Sequence, residues 1–281
     1  MSLEAVLGFD GKIHVADLGA AAIAEVPPYK ALLDRGIARL SAVDGDERQA
    51  AGIRDAYGED AAVIVDVIAD GREHILYLTS PESGMSSILK PSRQGLAFFN
   101  LFTRWGHVER TARVATRRLA DMEALQDIDY LKMDVQGAEL MVLENVGSAL
   151  DQCVAIQLEA SFVPLYEDQP SFGEIDLWMR RNGFLPHCFA NVKRWSIAPA
   201  LRNGEPKLPW NQLLECDVVY VRELISLAGV SDEQIKKVAL IAAYCYRSPD
   251  LCLHAVGELE RRGSLPAGHS ANVVAILNTS A

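Results

Sequence analysis

One stretch constrains this chain more than any other: Asp129-Tyr-Leu-Lys-Met-Asp-Val-Gln-Gly-Ala-Glu-Leu-Met-Val-Leu-Glu-Asn145. Tyr130, Leu131, Met133 and Val135 read as a buried strand, and Gly137 ends it before Leu140, Met141 and Leu143 take up a helical spacing. Lys132 and Asp134 therefore fall at the strand's carboxyl end. In an open α/β sheet that is where ligands bind, and charges inside an otherwise apolar strand are uncommon unless paired or functional. The plainer alternative is a pair of solvated loop charges.

The segment Leu131-Lys-Met-Asp-Val-Gln-Gly-Ala-Glu139 resembles the signature of FkbM-type methyltransferases, enzymes that use S-adenosylmethionine (SAM) to methylate hydroxyl groups, often on sugars or polyketides. The resemblance is strongest across Asp129–Glu144 and extends more weakly over residues 13–222. It implies a doubly wound seven-stranded α/β sheet, class I methyltransferase-like, over residues 1–225. Residues 226–281 then form a helical carboxyl-terminal appendage, opened by the capping-box-like Ser231-Asp-Glu-Gln and continuing as two apolar helices separated near Ser248-Pro249.

Composition excludes several classes. With 27 basic against 38 acidic residues, the net charge of −11 argues against a duplex nucleic-acid binder. Five cysteines without a CxxC pair fit reduced, mostly buried thiols rather than a disulfide framework or zinc site, and no metal-ligand cluster is legible. No apolar run approaches the ~18 residues of a membrane span, and the amino terminus lacks the features of a signal peptide. The expectation is a soluble, cytoplasmic protein.

Taken in order, Ile13-His-Val-Ala-Asp-Leu-Gly-Ala-Ala-Ala22 is a strand running into a turn, with Asp17 at its end, Gly19 at the bend and Ala20 keeping the turn small. The resemblance makes these three cofactor-binding candidates, although Ala21 and Ile23 stand where further glycines are usual. Pro27-Pro28 starts a helix over Tyr29 to Arg35, and Ile37–Val43 is a second strand followed by Asp44, which lies 25 residues after Gly19. An acidic residue there accepts hydrogen bonds from ribose hydroxyls, with Asp46 as the near rival and a solvated turn as the alternative. Val63–Ile68 is a third strand, and Asp70 in the following Ala-Asp-Gly turn matches the family's position beside the adenine, although turn chemistry explains it equally. Ser86 and Ser87 sit in a Ser-rich loop suited to closing over cofactor or acceptor, or else in a plain surface loop. Between Ser83 and Ala120 the only acidic residue is Glu109, against seven basic ones that include Arg113 and Arg117. These cations suit an acceptor carrying anionic groups; the alternative is that they neutralise acids of the same chain. Cys153–Glu159 is a fifth strand with Glu159 at its carboxyl end, Phe172–Asn182 a helix, and Phe184–Ile197 with Leu213–Val221 a closing hairpin.

Methyl transfer requires alignment of donor and acceptor and removal of a proton. The resemblance places Asp134 beside the transferring methyl, with Lys132 and Glu159 as its electrostatic setting; either carboxylate, or His107, can serve as base. Two rivals stand beside this reading. One is a non-catalytic SAM-fold binding module, and the other a nicotinamide-dependent oxidoreductase, which needs a G-x-G-x-x-G turn that the chain lacks.

Overall fold

The period of two in an extended strand sorts the first strand's side chains onto two faces, and this sorting builds the molecule. In β1 (Ile13–Leu18), Ile13 and Val15 enter one buried cluster while Ala16 and Leu18 enter another. The computed structural model describes residues 2–20, 26–57 and 61–279. It forms one seven-stranded sheet from β1, β2 (Ala38–Asp44), β3 (Ala61–Val65), β6 (Tyr130–Met133), β7 (Ala155–Ser161), β8 (Phe184–Arg194) and β9 (Leu213–Arg222), in the spatial order β3-β2-β1-β6-β7-β9-β8. The first five strands of that order run parallel, and β9 is antiparallel to both β7 and β8. A separate antiparallel ribbon pairs β4 (Glu73–Leu78) with β5 (Arg110–Ala115). The doubly wound seven-stranded architecture read from the sequence is the one observed.

Helices cover both faces. One carries α6 (Glu139–Glu144) and α7 (Phe172–Arg181), the latter opened by a capping box between Ser171 and Glu174. The other carries α1 (Leu3–Leu7), α2 (Lys30–Asp34) and α3 (Glu47–Tyr57), joined by α8 (Asp232–Cys245), α9 (Pro249–Arg261) and α10 (His269–Thr279). The sequence predicted two carboxyl-terminal helices; α10 is a third, and Ser231 caps α8 as expected. The third strand ends at Val65 instead of Ile68. Two short helices, α4 (Arg93–Phe98) and α5 (Phe102–Trp105), lie within the basic stretch.

The carboxyl-terminal helices are bonded into the sheet as well as packed on it. Lys237 pairs with Asp129 at 2.6 Å, and Asp129 in turn accepts from the His14 backbone at 2.8 Å. The Tyr246 hydroxyl meets that of Tyr130 and donates to Gln157 Oε1 at 2.9 Å. Ile235, Val238, Leu240, Ile241, Val256 and Leu259 are almost fully buried against the sheet. At about 1.5–3 kcal/mol for each such side chain, they supply on the order of 10 kcal/mol, comparable with the whole stability of a typical domain. Removing residues 226–281 is therefore expected to abolish the cooperative thermal transition. Circular dichroism of the truncated chain checks this; a cooperative melt within a few degrees of full length would refute it.

Candidate active site

The chain builds outward from β1 to β2 and β3, then crosses back to lay β6 on the other side of β1. That reversal leaves a crevice beyond the carboxyl ends of β1 and β6, the usual ligand position in such sheets. A cleft enclosing about 860 Å³ of empty space, part of it open to solvent, occupies the crevice. Its wall begins at Leu18 and Gly19. Gly19 has φ +79°, and a Cβ added to it would lie 1.8 Å from the Asp134 carbonyl oxygen. Only a residue without a side chain lets this turn press so closely on the end of β6. The contact is tied by Asp134 N donating to Leu18 O at 2.9 Å and Gly19 N donating to Val43 O at 2.8 Å.

Asp44, at the end of β2, faces the cleft. Its Oδ1 accepts from the Asp46 backbone at 2.7 Å, and no hydrogen bond to Oδ2 is found among the described residues. Burial pushes its pKa from an ordinary 3.8 up to about 6, against the pull of that Asp46 amide. Beside it, Val67, Ile68 and Leu76 form an apolar wall.

The opposite wall is the loop after β6. Gln136 and Gly137 both adopt positive φ, +54° and +96°, and the buried Glu139 carboxylate holds this turn by accepting from Val135 N at 3.0 Å and Gly137 N at 3.2 Å. Burial raises the Glu139 pKa to about 7 despite those two donors. Gln136 Nε2 donates to Asp134 Oδ1 at 2.7 Å and reaches Glu159 Oε1 at 3.4 Å, while its Oε1 accepts from the Tyr166 hydroxyl at 2.8 Å. An amide thus bridges two carboxylates. Asp134 lines the cleft, whereas Glu159 is buried behind it and held at 3.7 Å by Lys193, which also pairs with Glu215 at 2.7 Å. Burial, followed by the charges of Asp134 and Glu215, pushes Glu159 well above the usual carboxylate range.

Gly19, Asp44, Ser86, Ser87 and Asp134 thus meet at one cleft, with Glu159 just behind. Asp17 and Lys132 do not line it. Period-two alternation puts both on the face under α8, directly opposite each other in register and ion-paired at 3.1 Å, and Tyr29 donates to Asp17 at 2.6 Å. Ala20 is buried, its amide on Val43 O at 3.2 Å; Ala21 and Ile23 lie outside the described residues. Asp70 turns away to bind His74 at 2.8 Å and the Arg72 amide at 3.0 Å, and the acidic residue after β3 that lines the cleft is Asp66. Ser87 donates to Gln136 O at 2.8 Å, and Ser86 accepts from Thr79 N at 3.1 Å, so both hydroxyls position loops. His107 is exposed between α5 and β5, away from the cleft lining. Arg113 is 79% exposed and pairs with Glu73, and Arg117 pairs with Asp66 at 3.5 Å. With Lys90 on Glu167 and Arg118 on Asp121, four of the seven cations in the basic stretch have carboxylate partners in the same chain. Gln136, Tyr166 and Lys193 were not singled out by the sequence. Gln136 stood inside the signature, but the other two come from elements whose approach only the fold reveals.

Among the described residues no cluster of His, Cys, Asp and Glu is placed to hold a metal ion, and no helix is long and apolar enough to cross a membrane.

Comparison with known proteins gives a family match. The model described as "Methyltransferase FkbM domain" covers residues 22–186. No curated protein matches. Among solved structures, the chain is similar to TrmK of M. capricolum in complex with S-adenosyl-homocysteine (11% identity, 99% of this chain and 95% of that one, TM-score 0.36). It is also similar to a TehB-like SAM-dependent methyltransferase of Corynebacterium glutamicum (11%, 79% and 88%, 0.37). A third is precorrin-6y C5,15-methyltransferase of Geobacter metallireducens (12%, 78% and 85%, 0.37).

The loop geometry yields a paired prediction. Both Glu139 hydrogen bonds fall on one oxygen, so Glu139→Gln keeps its acceptor and should change stability by less than about 1 kcal/mol. Glu139→Ala strands two buried donors and should cost about 2–4 kcal/mol. Urea denaturation of the two variants distinguishes them, and equal losses would show that the loop does not depend on this carboxylate.

Proposed function

The chain belongs to the FkbM methyltransferase family, and from that premise we propose that it transfers the methyl group of SAM to a hydroxyl oxygen of a sugar or other small molecule. The observation that carries this reading is the position of the family segment. Asp134, Val135, Gln136 and Ala138 line the cleft at the sheet's reversal point, across from Asp44.

The residues present fit the cofactor. Asp44 offers a carboxylate with one oxygen already oriented by a backbone amide, suited to ribose hydroxyls, and Val67, Ile68 and Leu76 offer an apolar wall suited to a purine. When bound, SAM supplies a methyl group on a positively charged sulfur. Of the two carboxylates that Gln136 bridges, Asp134 is the one that lines the cleft, and Gln136 fixes its Oδ1 from one side. In that position it can orient an acceptor hydroxyl and take its proton as the oxygen attacks. Glu159, buried and driven toward its neutral form, limits the negative charge behind Asp134. Tyr166 and Ser87 hold Gln136 by its side chain and its carbonyl, so the bridge is rigid.

Incubation with methyl-labelled SAM and a panel of hydroxylated glycans and small molecules tests the proposal. Label recovered on an acceptor oxygen supports it; label on nitrogen or carbon, or SAM binding without transfer to any acceptor, counts against it. With a working acceptor, Asp134→Asn should lower turnover by about 10²–10⁴ and leave SAM affinity nearly unchanged.

The cofactor contact also carries a pH signature. A group raised to about 6 is ionised above that pH and protonated below it. Binding through the carboxylate then competes with the proton, so SAM affinity should be level above about pH 7 and fall toward tenfold per unit below 6. Calorimetry across pH 5–8 reads this. Asp44→Asn should bind about ten- to a hundredfold more weakly at pH 8 and with a flat profile; a wild-type profile that is itself flat removes Asp44 from the contact.

A further inference from the structure

A second concavity opens on the same carboxyl rim of the sheet, where β7, β8 and β9 end or begin. Phe162, Trp195, Ile197, Trp210, Asn211 and Gln212 line it, and no ionisable side chain does. Trp210 is 54% exposed, an unusual state for an indole, yet it is held in place. The Arg202 guanidinium stacks over it at 5.3 Å and donates to Pro209 O at 2.9 Å. The loop carrying Trp210 is pinned further by Asn100 Nδ2 on Ala200 O at 2.7 Å and Ser196 Oγ on Leu208 O at 2.6 Å. A binding surface ordered in advance loses little entropy on association.

The groove connects to the active site through packed side chains. Trp195 belongs to the aromatic cluster of Phe99, Phe102 and Trp105, its indole N–H on Asn100 O at 2.9 Å. That cluster also contains Tyr166, whose hydroxyl holds Gln136 beside Asp134. On the sheet side, Phe162 stands three residues beyond Glu159, about 10 Å along an extended chain.

Resting on the methyl-transfer reading above, we propose that this groove binds a neutral carbohydrate ring of the acceptor, remote from the hydroxyl that is methylated. A pyranose has an apolar C–H face that packs on the electron-rich face of an indole, and a rim of hydroxyls that exchanges hydrogen bonds with amides such as Asn211. The lining supplies both chemistries. The lining side chains carry no charge of their own, and the nearby Arg202 guanidinium is already engaged by the Trp210 ring and Pro209 O, so the groove suits a neutral ring. With one ring held here and another carrying the methylated hydroxyl, the acceptor is an oligosaccharide or glycoside. A flat aromatic acceptor, or a second copy of the chain seated on the groove, gives a different result in the same experiment.

The probes are cellotetraose, maltotetraose, xylotetraose and N-acetylchitotetraose, titrated into the full chain saturated with S-adenosylhomocysteine and followed by calorimetry and saturation-transfer NMR. At least one should bind, with an affinity insensitive to salt between 50 and 500 mM. Trp210→Ala should weaken it by about tenfold or more and Trp210→Phe by less. S-adenosylhomocysteine affinity, measured in each variant, reports whether the cofactor site is folded. The groove's role is overturned if none of the four sugars binds, if Trp210→Ala binds as wild type does, if resorcinol binds there and the sugars do not, or if the chain dimerises through Trp210. Failure of wild type to bind S-adenosylhomocysteine would instead overturn the methyltransferase reading itself.

Discussion

The approach of the first turn to the end of β6 is the contact on which the rest of the site depends. Gly19 gives up its side chain so that the backbone of β1's turn can rest against the Asp134 carbonyl, and Asp134's own amide returns a hydrogen bond to Leu18. This contact fixes where Asp134 stands relative to Asp44, since Gly19 and Ala20 are also bound to Val43, the residue just before Asp44. The two carboxylates thus share one rigid frame at the sheet's reversal point. A larger residue in the turn would separate the strands that carry them.

Charge is layered at this edge of the sheet. On the face beneath α8, Asp17, Lys132, Asp217, Glu215 and Lys193 come from successive strands, and Glu159 belongs to the same series. Burial works against the charge of Lys132 and Lys193, yet Asp17 in the first case and Glu215 with Glu159 in the second outweigh it and hold both above their ordinary range. Asp217, by contrast, is pushed up to about 6 by burial and by Asp134. Ions of opposite sign are interleaved under the site, so the cleft carboxylate Asp134 does not stand on an uncompensated acidic patch. Removing one cation from such a buried arrangement leaves its partner exposed to the full cost of desolvation.

Much of this was legible in the sequence. The Asp129–Asn145 stretch gave strand, turn and helix in the right places, and strand-end logic located Asp44 and Asp134, because both rules depend only on local spacing. What local spacing does not carry is the face on which a side chain lies. Lys132 and Asp17 sit near strand ends, yet alternation turns them beneath α8, where they bind each other. Asp70 follows a strand that ends three residues earlier than Val63–Ile68 suggests, so the cleft position passes to Asp66. Tyr166 reaches Gln136 from the loop after β7, which pairs with β6, and Lys193 reaches Glu159 from β8, which the β7–β9–β8 order brings back toward it.

The anchoring of β6 by the last helices has a consequence for how the protein is made. Asp129 and Tyr130, which begin the strand that delivers Asp134, take their buried partners Lys237 and Tyr246 from a segment more than a hundred residues downstream. During synthesis the signature segment leaves the ribosome well before those partners exist, so Asp129 has its His14 amide but not its counter-ion, and Tyr130 has Gln157 but not the second phenol. The strand that opens the signature segment is fully anchored only after α8 has emerged, so this segment is completed by a part of the chain translated about a hundred residues after it.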